Sequence, residues 1–359
     1  IEDCIRAHPT CPKQGNPEWF PTRVIDVGDS SKAPRLLVER NAHLGEAYVS
    51  LSHCWGAAKI TTLTTALLKS FQDCLPLHIL PATFQEAILI TRRLGYKYLW
   101  IDSLCICQDS AEDWRSESIV MGEVYRNAVV SIAATASSNS YGGCFRDRNL
   151  SGILPCEVQA TVDPKTGPET VYIHLSRDVW KTVDKSVLNS RAWVLQERIL
   201  APRVLHYGPN QLFWECRKQQ SCEAFPDGLQ AWNIVASQET SLKSIFEPAM
   251  PEFRPFAADI SAYSSPMEFR YADWDFLVNT YTRCSLTKPE DKLIAINGLA
   301  EVWGTMLDDD YMAGLWKKDL LRQLLWHAEL LRERDRSRIL IGNVPRAPTW
   351  SWASIDGEV

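Results

Sequence analysis

The stretch that decides the fold is Ala47-Tyr48-Val49-Ser50-Leu51-Ser52-His53-Cys54-Trp55-Gly56. It is a short apolar run, rich in residues that favour strands, and it ends in small and polar residues at a glycine. This pattern is typical of a buried central strand of a parallel sheet. Ligands of open α/β sheets bind at the carboxyl ends of such strands, so the loop that follows is a candidate binding site.

Helix and strand patterns alternate downstream of this strand. They predict a helix over residues 80–95, a strand over 98–106, a helix over 114–127 and a strand over 128–134. The first helix has Pro81 near its first turn and Gly95 as its stop signal, and Asp102 interrupts the second strand. The order β-α-β-α-β predicts an α/β fold with a mostly parallel sheet, flanked by helices that join the strands by right-handed crossovers.

The segments around this unit predict additions to it. Hairpin patterns occur at residues 22–27 with 35–39, at 152–158 with 170–175, and at 203–207 with 211–216. Residues 217–268 are poorly patterned, and helices are predicted over 274–281, 289–303 and 313–333. We therefore expect an α/β domain over residues 1–216, with an N-terminal lead-in and a β-hairpin insertion, and an irregular, helical C-terminal region over residues 217–359.

Composition excludes several classes of protein. The chain is 45% hydrophobic and 23% charged, as soluble globular proteins are, and its net charge of -6 gives no case for a nucleic-acid partner. No run approaches the ~18 apolar residues of a membrane span. The eleven cysteines are scattered, which favours reduced, buried thiols and a cytoplasmic location. Because the sequence begins at Ile1 and stops at Val359 without a closing element, we expect it to be a piece of a longer protein.

The first group of candidate site residues lies at the ends of the two buried strands. Ser52, His53, Trp55 and Gly56 are expected to line a pocket at the end of the first strand. Asp102 lies within the second predicted strand, where an acid is either paired or functional.

The second group lies on a helix predicted to begin at Ser190 as its N-cap. Trp193 and Glu197 stand four residues apart, so on a helix they share one face. A carboxylate beside an indole is partly desolvated, and glycosidic-bond chemistry uses such an acid. The alternative is that Trp193 belongs to the core and Glu197 pairs with Arg198 or Arg203 at the surface.

Three blocks of the sequence resemble the fungal heterokaryon incompatibility (HET) domain. They are Tyr48–Gly56, Leu80–Ala134 and Arg191–Arg198. Residues 291–293, 313–316 and 347–354 resemble segments that usually follow this domain. Members of the family act in fungal non-self recognition and programmed cell death. The resemblance therefore implies an effector that associates with itself or with other HET or receptor proteins.

HET domains have also been likened to TIR domains, which implies a TIR-like, flavodoxin-like sheet. Ser190, Trp193 and Glu197 resemble the Ser-x-Trp-x-x-x-Glu motif of TIR enzymes, whose glutamate cleaves NAD, with Ala192 as an extra residue. The resemblance implies a catalytic Glu197, with NAD as substrate and no cofactor. The residues expected to bind the substrate are Ser52, His53, Trp55, Gly56, Asp102 and Trp193.

The leading hypothesis is therefore NAD hydrolysis, in which Glu197 stabilises the ribosyl cation and Trp193 shields the site. A second hypothesis is a non-catalytic module that triggers cell death by assembly, with aromatic anchors such as Trp350 and Trp352.

A third hypothesis is a cysteine hydrolase that uses Cys54 or Cys105 with His53 or His206. His53 and Cys54 would point to opposite faces of a strand, which argues against a direct pair. No metal site is expected, since Cys105 and Cys107 also alternate across a predicted strand and Cys216 with Cys222 lacks the two-residue spacing of a metal knuckle.

Overall fold

The centre of the structure, a computed structural model, is an eight-stranded mixed β-sheet. The structure describes residues 1–29, 31–38, 40–149, 153, 155–162, 165, 167–173, 180–229, 242–246, 266–328 and 346–359. Its strands are β1 (Val24–Asp26), β2 (Arg35–Leu37), β3 (Tyr48–Ser52), β4 (Tyr98–Trp100), β5 (Val130–Ala133), β6 (Cys156–Ala160), β7 (Glu169–Ile173), β8 (Arg203–Tyr207), β9 (Leu212–Cys216), β10 (Gln220–Cys222), β11 (Tyr311–Met312) and β12 (Leu315–Trp316).

The strand order across the large sheet is β10-β9-β8-β5-β3-β4-β1-β2. The four central strands, β8, β5, β3 and β4, run parallel to one another. Antiparallel strands extend the sheet at both edges. Every residue of β3 is buried, as a central strand covered on both faces requires. The predicted α/β fold with a largely parallel central sheet is confirmed.

Helices cover both faces of the sheet. They are α1 (Glu2–Ala7), α2 (Leu68–Asp73), α3 (Ala82–Arg93), α4 (Asp102–Cys105), α5 (Ala111–Asn127), α6 (Lys181–Asp184), α7 (Ala192–Leu200), α8 (Pro266–Thr282), α9 (Asn297–Leu307) and α10 (Leu320–Gln323). Right-handed crossovers place α3 on one face and α5 with α7 on the other. In agreement, the Tyr48 hydroxyl on β3 donates a hydrogen bond to the Val124 carbonyl on α5, at 2.5 Å.

The two long helices between the parallel strands follow their sequence signals. The N-cap of α5 is Ser110, whose hydroxyl accepts a hydrogen bond from the Asp113 amide at 3.2 Å. Gly95 adopts φ +80° just beyond α3, a left-handed conformation that glycine reaches without steric cost. Both predicted helices are confirmed.

The strand predicted over residues 98–106 is wrong beyond Trp100. From Asp102 the chain forms the short helix α4, and Ser103, Leu104 and Cys105 are buried in it. A short apolar run fits a buried helical turn as well as a strand, so periodicity could not separate the two.

The C-terminal region is less helical than predicted. α8 is longer than residues 274–281, whereas 289–303 divides into a 3-10 turn at Pro289–Asp291 and the separate helix α9. The helix predicted over 313–333 is wrong in most of its described part, which begins with the turn and second strand of the β11–β12 hairpin and is helical only in α10. Ala313 and Gly314 have φ values of +47° and +103°, as a two-residue hairpin turn requires. Residues 329–333 lie outside the described chain.

The predicted hairpins are confirmed as β1–β2, β6–β7 and β8–β9. The strand β10, which pairs with β9, was not predicted because three residues are too few to show an alternating pattern. Residues 230–241 and 247–265 of the segment predicted to be irregular lie outside the described chain.

One buried hydrophobic cluster includes residues of the α/β unit and of the C-terminal region, among them Leu200, Trp274 and Leu299. α9 packs against both α5 and α7. The division of the chain at residues 216 and 217 stays a prediction. Within the part of the chain that the structure describes, none of the helices has the length and apolar character that crossing a membrane needs.

Candidate active site

The candidate site lies at the carboxyl end of β3, between the neighbouring strands β4 and β5. β3 pairs in parallel with β4 on one side and with β5 on the other, so its carboxyl end lies at a switch point of the sheet. Ser52, the last residue of β3, points towards α7. Its hydroxyl donates a short hydrogen bond to Oε2 of Glu197. Two residues that are 145 positions apart in sequence therefore form the centre of the site.

Glu197 is a buried acid. Its side chain lies between α7 and the end of β3, where it contacts Ser52, and the residue is only 5% exposed. Burial is the main cause that raises its pKa to about 7, and the negative charge of Asp102 adds to the rise. The hydrogen bond from Ser52 and the positive charge of Arg191 act in the opposite direction. Glu197 is thus poised between its neutral and charged forms near neutral pH.

The backbone at the start of α7 fixes the position of Glu197. Arg191 pairs with Ser285 in a parallel bridge, and the Ala192 amide donates to the Ser285 carbonyl at 2.9 Å. The predicted N-cap role of Ser190 is wrong, because its hydroxyl donates instead to the Val187 carbonyl at 2.8 Å. A neighbouring segment of backbone, not a side chain, therefore satisfies the first amide of the helix.

Two residues that contact the site were not predicted for it. The Tyr125 hydroxyl on α5 donates to the Leu51 carbonyl at 3.1 Å and is also within hydrogen-bonding range of Glu197. The guanidinium of Arg191 donates a hydrogen bond to the His53 carbonyl, and its positive charge lowers the pKa of Glu197. Tyr125 lies in the helix predicted over residues 114–127, where a tyrosine is usually a core residue. Its role at the site can be recognised only from the packing of α5 against β3, which brings the Tyr125 hydroxyl to the Leu51 carbonyl.

His53 lies on the other face of the sheet. Its ring packs edge-on against Phe84 of α3, with centroids 4.8 Å apart. Successive residues of an extended chain point to opposite faces, so Ser52 and His53 cannot both face Glu197. Burial lowers the pKa of His53 to about 4, so its ring is neutral at physiological pH. Nε2 of this ring is buried and has no hydrogen-bond partner among the residues that the structure describes.

Asp102 and Trp55 hydrogen-bond to each other just beyond the carboxyl ends of β4 and β3. The Trp55 indole N–H donates to Oδ2 of Asp102 at 2.8 Å, and the Ser103 amide donates to Oδ1 at 2.6 Å. Nδ1 of His53 lies 3.7 Å from Oδ1 of Asp102. Asp102 is thus a paired acid that orients the indole of the loop after β3.

Gly56 shapes this loop through its backbone. Its φ is +76°, and a Cβ at this position would lie 2.3 Å from Cβ of Asn139. The Ser140 hydroxyl also donates to the Cys54 carbonyl at 3.1 Å. Glycine is therefore required for the close approach of residues 137–143 to the loop.

Trp193 is half-buried and packs against the main core. Its side chain hydrogen-bonds to Asp291 in the C-terminal region. The contacts that surround Glu197 come instead from Ser52, Tyr125 and Arg191. The expected shielding of the site by Trp193 stays a prediction.

The surroundings of the cysteines argue against a cysteine nucleophile. All eleven are free thiols, and eight of them are buried. Burial raises the pKa of Cys54, and it raises that of Cys105 to about 12. His206 is engaged by Thr135, with Nδ1 and the hydroxyl 3.0 Å apart. The Cys54 and Cys105 thiols are therefore protonated at neutral pH and lack the thiolate character that nucleophiles need.

A cavity of about 600 Å³ lies in the C-terminal region, away from Glu197. Trp274, Arg322 and Trp352 are among its lining residues. Its polar pair is an ordinary salt bridge between Arg322 and Asp275, at 2.6 Å. Size alone does not indicate chemistry, so we assign greater weight to the buried acid at the switch point.

The family model of the heterokaryon incompatibility protein (HET) matches residues 48–197. No curated protein and no solved structure matches the chain. The matched range begins at the first residue of β3, ends at Glu197 and includes Asp102. This family implies a role related to heterokaryon incompatibility and cell death. The chain therefore contains a region, residues 48–197, that is similar to the heterokaryon incompatibility (HET) family and is called the HET domain below, and Ser52 and Glu197 both lie within it.

Proposed function

We propose that this HET domain hydrolyses NAD at the bond between nicotinamide and ribose, with Glu197 as the catalytic residue. The observation that carries the proposal is the buried Glu197 carboxyl, held by the Ser52 hydroxyl at the end of a central parallel strand. Acids with a raised pKa at such a position are typical of active sites.

The strand order gives a second line of support. Numbered along the chain, the four parallel strands have the spatial order 2-1-3-4, since β4 and β5 lie on either side of β3 and β8 lies beyond β5. Flavodoxin-like sheets begin with the same order and bind their ligand at the switch between the first and third strands. A TIR-like class for this sheet is part of the proposal.

The reaction needs one well-placed carboxylate. The bond from C1′ of the ribose to the ring nitrogen breaks, and nicotinamide leaves with the bonding electrons as a neutral molecule. The ionised Glu197 stabilises the oxocarbenium ion that remains. Water then adds to C1′ and loses a proton to solvent. Ser52 holds the carboxylate in place, and Arg191 is the cation available for the diphosphate.

Access to this site has a consequence for its regulation. Because Glu197 is 5% exposed, NAD can reach it only after the loop after β3 has moved. We expect self-association or a partner protein to favour the open form. Specific activity should then rise with protein concentration.

The test is nicotinamide release from NAD over a series of protein concentrations. The wild-type chain is expected to release nicotinamide, and Glu197→Gln should lower the rate by about 100-fold or more. Glu112→Gln is the matched control, since Glu112 is an exposed glutamate in the first turn of α5. Equal rates for wild type and Glu197→Gln would reject the assignment.

The alternative function is a non-catalytic module that acts by assembly. Leu321 in α10 is 86% exposed, Leu325 just after this helix is 78% exposed, and Trp350 is 40% exposed. Trp352, the other expected anchor, is instead a core residue, and its indole donates to the Gly314 carbonyl at 3.0 Å. Cell death that persists with Glu197→Gln but is lost with Leu321→Asp and Leu325→Asp would favour this function.

A further inference from the structure

Four potential metal ligands converge at the end of β9, outside the matched residues 48–197. They are Cys4, His8, Cys11 and Cys216. Their four donor atoms all lie within 4.8 Å of one another. Nδ1 of His8 is 3.4 Å from Sγ of Cys216 and 4.0 Å from Sγ of Cys11. The three thiols are buried, whereas His8 is half-buried.

These separations match a tetrahedral zinc site. With Zn–S bonds of about 2.3 Å and Zn–N bonds of about 2.0 Å, neighbouring donors of a tetrahedron stand roughly 3.5–3.8 Å apart. Three thiolates with one imidazole is also a common ligand set for structural zinc. The two S–N separations of 3.4 and 4.0 Å lie within about 0.5 Å of the ideal S–N spacing, and no pair of donors has to close by more than about 1.3 Å to bind the ion.

Local structure explains how the ligands converge. Cys4 lies in α1 and His8 caps the end of this helix, so the two are one turn apart on the same side. Cys11 follows in the next turn of chain. Cys216 ends β9, and its amide donates to the Gln219 carbonyl at 2.9 Å, which closes a tight turn to β10.

Hydrogen-bond donors around the sulfurs favour thiolates. The amides of Arg217 and Lys218, in the turn after Cys216, hydrogen-bond to the Cys11 sulfur. Such hydrogen bonds to the sulfur stabilise a thiolate that is bound to a metal ion. The Arg203 guanidinium donates from Nε to Sγ of Cys4 at 3.2 Å.

Arg203 supplies an independent argument from charge. Its side chain is almost fully buried, and its other acceptors are the carbonyls of Val129 and Pro12. None of these three acceptors is a carboxylate. A buried cation needs an opposite charge nearby. A zinc ion with three thiolates carries a net charge of -1, which matches the single charge of Arg203.

We propose that Cys4, His8, Cys11 and Cys216 bind a structural zinc ion. Three thiol protons pass to solvent as the three Zn–S bonds form, and neutral His8 binds through Nδ1. All four positions of the tetrahedron are filled by the protein, so the site has no open position for a reacting water. The ion links the N-terminal helix to β9, whose ligands are 208 residues apart between His8 and Cys216.

No local motif predicts this metal site, because its fourth ligand is about 200 residues away from the other three. Cys216 lies near Cys222 in sequence, yet the partners of Cys216 are at the N-terminus. The spacing Cys4-x-x-x-His8-x-x-Cys11 indicates a metal site only together with Cys216, which the fold brings next to these three residues.

The test is the zinc content of the whole chain, purified under reducing conditions and desalted after incubation with zinc. We expect roughly one tightly held zinc ion per chain, as a four-ligand site implies. The double variant Cys11→Ser and Cys216→Ser should lose this zinc. Cys222→Ser is the matched control, since this buried thiol of β10 lies outside the cluster. Wild type without zinc, or a double variant that keeps it, would overturn the proposal.

Cobalt binding tests the site without relying on the folding of variants. Co²⁺ added to the zinc-free wild type should give the strong ligand-field and thiolate charge-transfer bands of a tetrahedral sulfur site, and one equivalent of zinc should abolish them. Bands typical of octahedral Co²⁺, or a disulfide between two of these cysteines in freshly reduced and desalted protein, would count against the zinc site.

Discussion

The ionisation of Glu197 sets the expected pH dependence of the proposed reaction. Since burial raises its pKa to about 7, the catalytic carboxylate is mostly neutral in mild acid. We predict that kcat/KM for NAD rises with pH, is half-maximal near pH 7 and levels off roughly one unit higher. Ser52→Ala removes a hydrogen bond that lowers this pKa, so the rise should move to higher pH. The measurement is nicotinamide release between pH 5 and 9 for both proteins; an unshifted profile would contradict a positioning role for Ser52.

The same buried charge should destabilise the fold at high pH. The pKa of Glu197 is higher in the folded protein than its ordinary value of 4.5, so the stability of the neutral form is fully present below 4.5 and is lost as pH rises through about 7. This difference corresponds to about 3 kcal/mol at most. We predict that Glu197→Gln, which stays neutral, is more stable than wild type at pH 8.5 by up to about 3 kcal/mol.

Urea unfolding at pH 5 and pH 8.5 measures this effect. The advantage of Glu197→Gln should be small at pH 5, and the exposed control Glu112→Gln should behave like wild type at both values. A variant that is equally destabilised at both pH values would show that Glu197 acts as an ordinary structural acid.

A residue of the site could be predicted from the sequence where both its chemical type and its place in a predicted strand or helix indicated a functional role. Ser52 ends an apolar strand and Glu197 follows a tryptophan by one helical turn, so sequence marked both as candidates. Tyr125 and Arg191 were not marked. A tyrosine on an apolar helix face is usually core, and only the packing of α5 against β3 brings its hydroxyl to the acid.

At the scale of elements, α7 is anchored by buried charges. Arg198 on α7 donates two hydrogen bonds to Glu215 on β9, at 2.8 and 3.2 Å. Lys243 donates to the carbonyls of Arg198 and Ala201 at the carboxyl end of the same helix. These contacts fix the helix that carries Glu197 against the sheet.

We predict that Glu215→Ala lowers the free energy of unfolding by about 3–5 kcal/mol, because it leaves the buried Arg198 without its main counter-charge. Asp73→Ala is the matched control. Asp73 forms an exposed pair with Lys69 at 3.4 Å, and such pairs contribute less than about 1 kcal/mol. Urea unfolding measures both variants, and equal losses would refute the role given to the buried pair.

Elements with a full periodic pattern, such as α3 and α5, were predictable from sequence, whereas short ones were not. Residues 102–105 and the β11–β12 hairpin occur in apolar runs that fit more than one backbone conformation. What selects the conformation is tertiary: a Cβ at Gly314 would lie 2.6 Å from Nε1 of Trp352, so this turn depends on a contact about forty residues away.

At the scale of the whole molecule, the C-terminal region meets the HET domain through a close contact of two helices. Gly122 on α5 faces Gly298 on α9, and a Cβ at Gly298 would lie 2.8 Å from Cα of Gly122. The Gly298 amide also donates to Oε1 of Gln196 at 3.2 Å, next to Glu197. This contact could not be predicted from the sequence, because a glycine within a helix indicates by itself only a residue that weakens the helix.

The contact predicts opposite effects for one substitution made at two places in α9. Gly304→Ala should stabilise the protein by roughly 0.5–1 kcal/mol, since its Cβ would make an ordinary 3.5 Å contact with Trp316 and alanine favours helices. Gly298→Ala should destabilise it by about 1–3 kcal/mol, because the new methyl forces α9 away from α5. Urea unfolding measures both, and nicotinamide release should fall in Gly298→Ala alone, as Gln196 shifts beside Glu197. If both variants gained stability, the two parts of the chain would not be held together by this close contact.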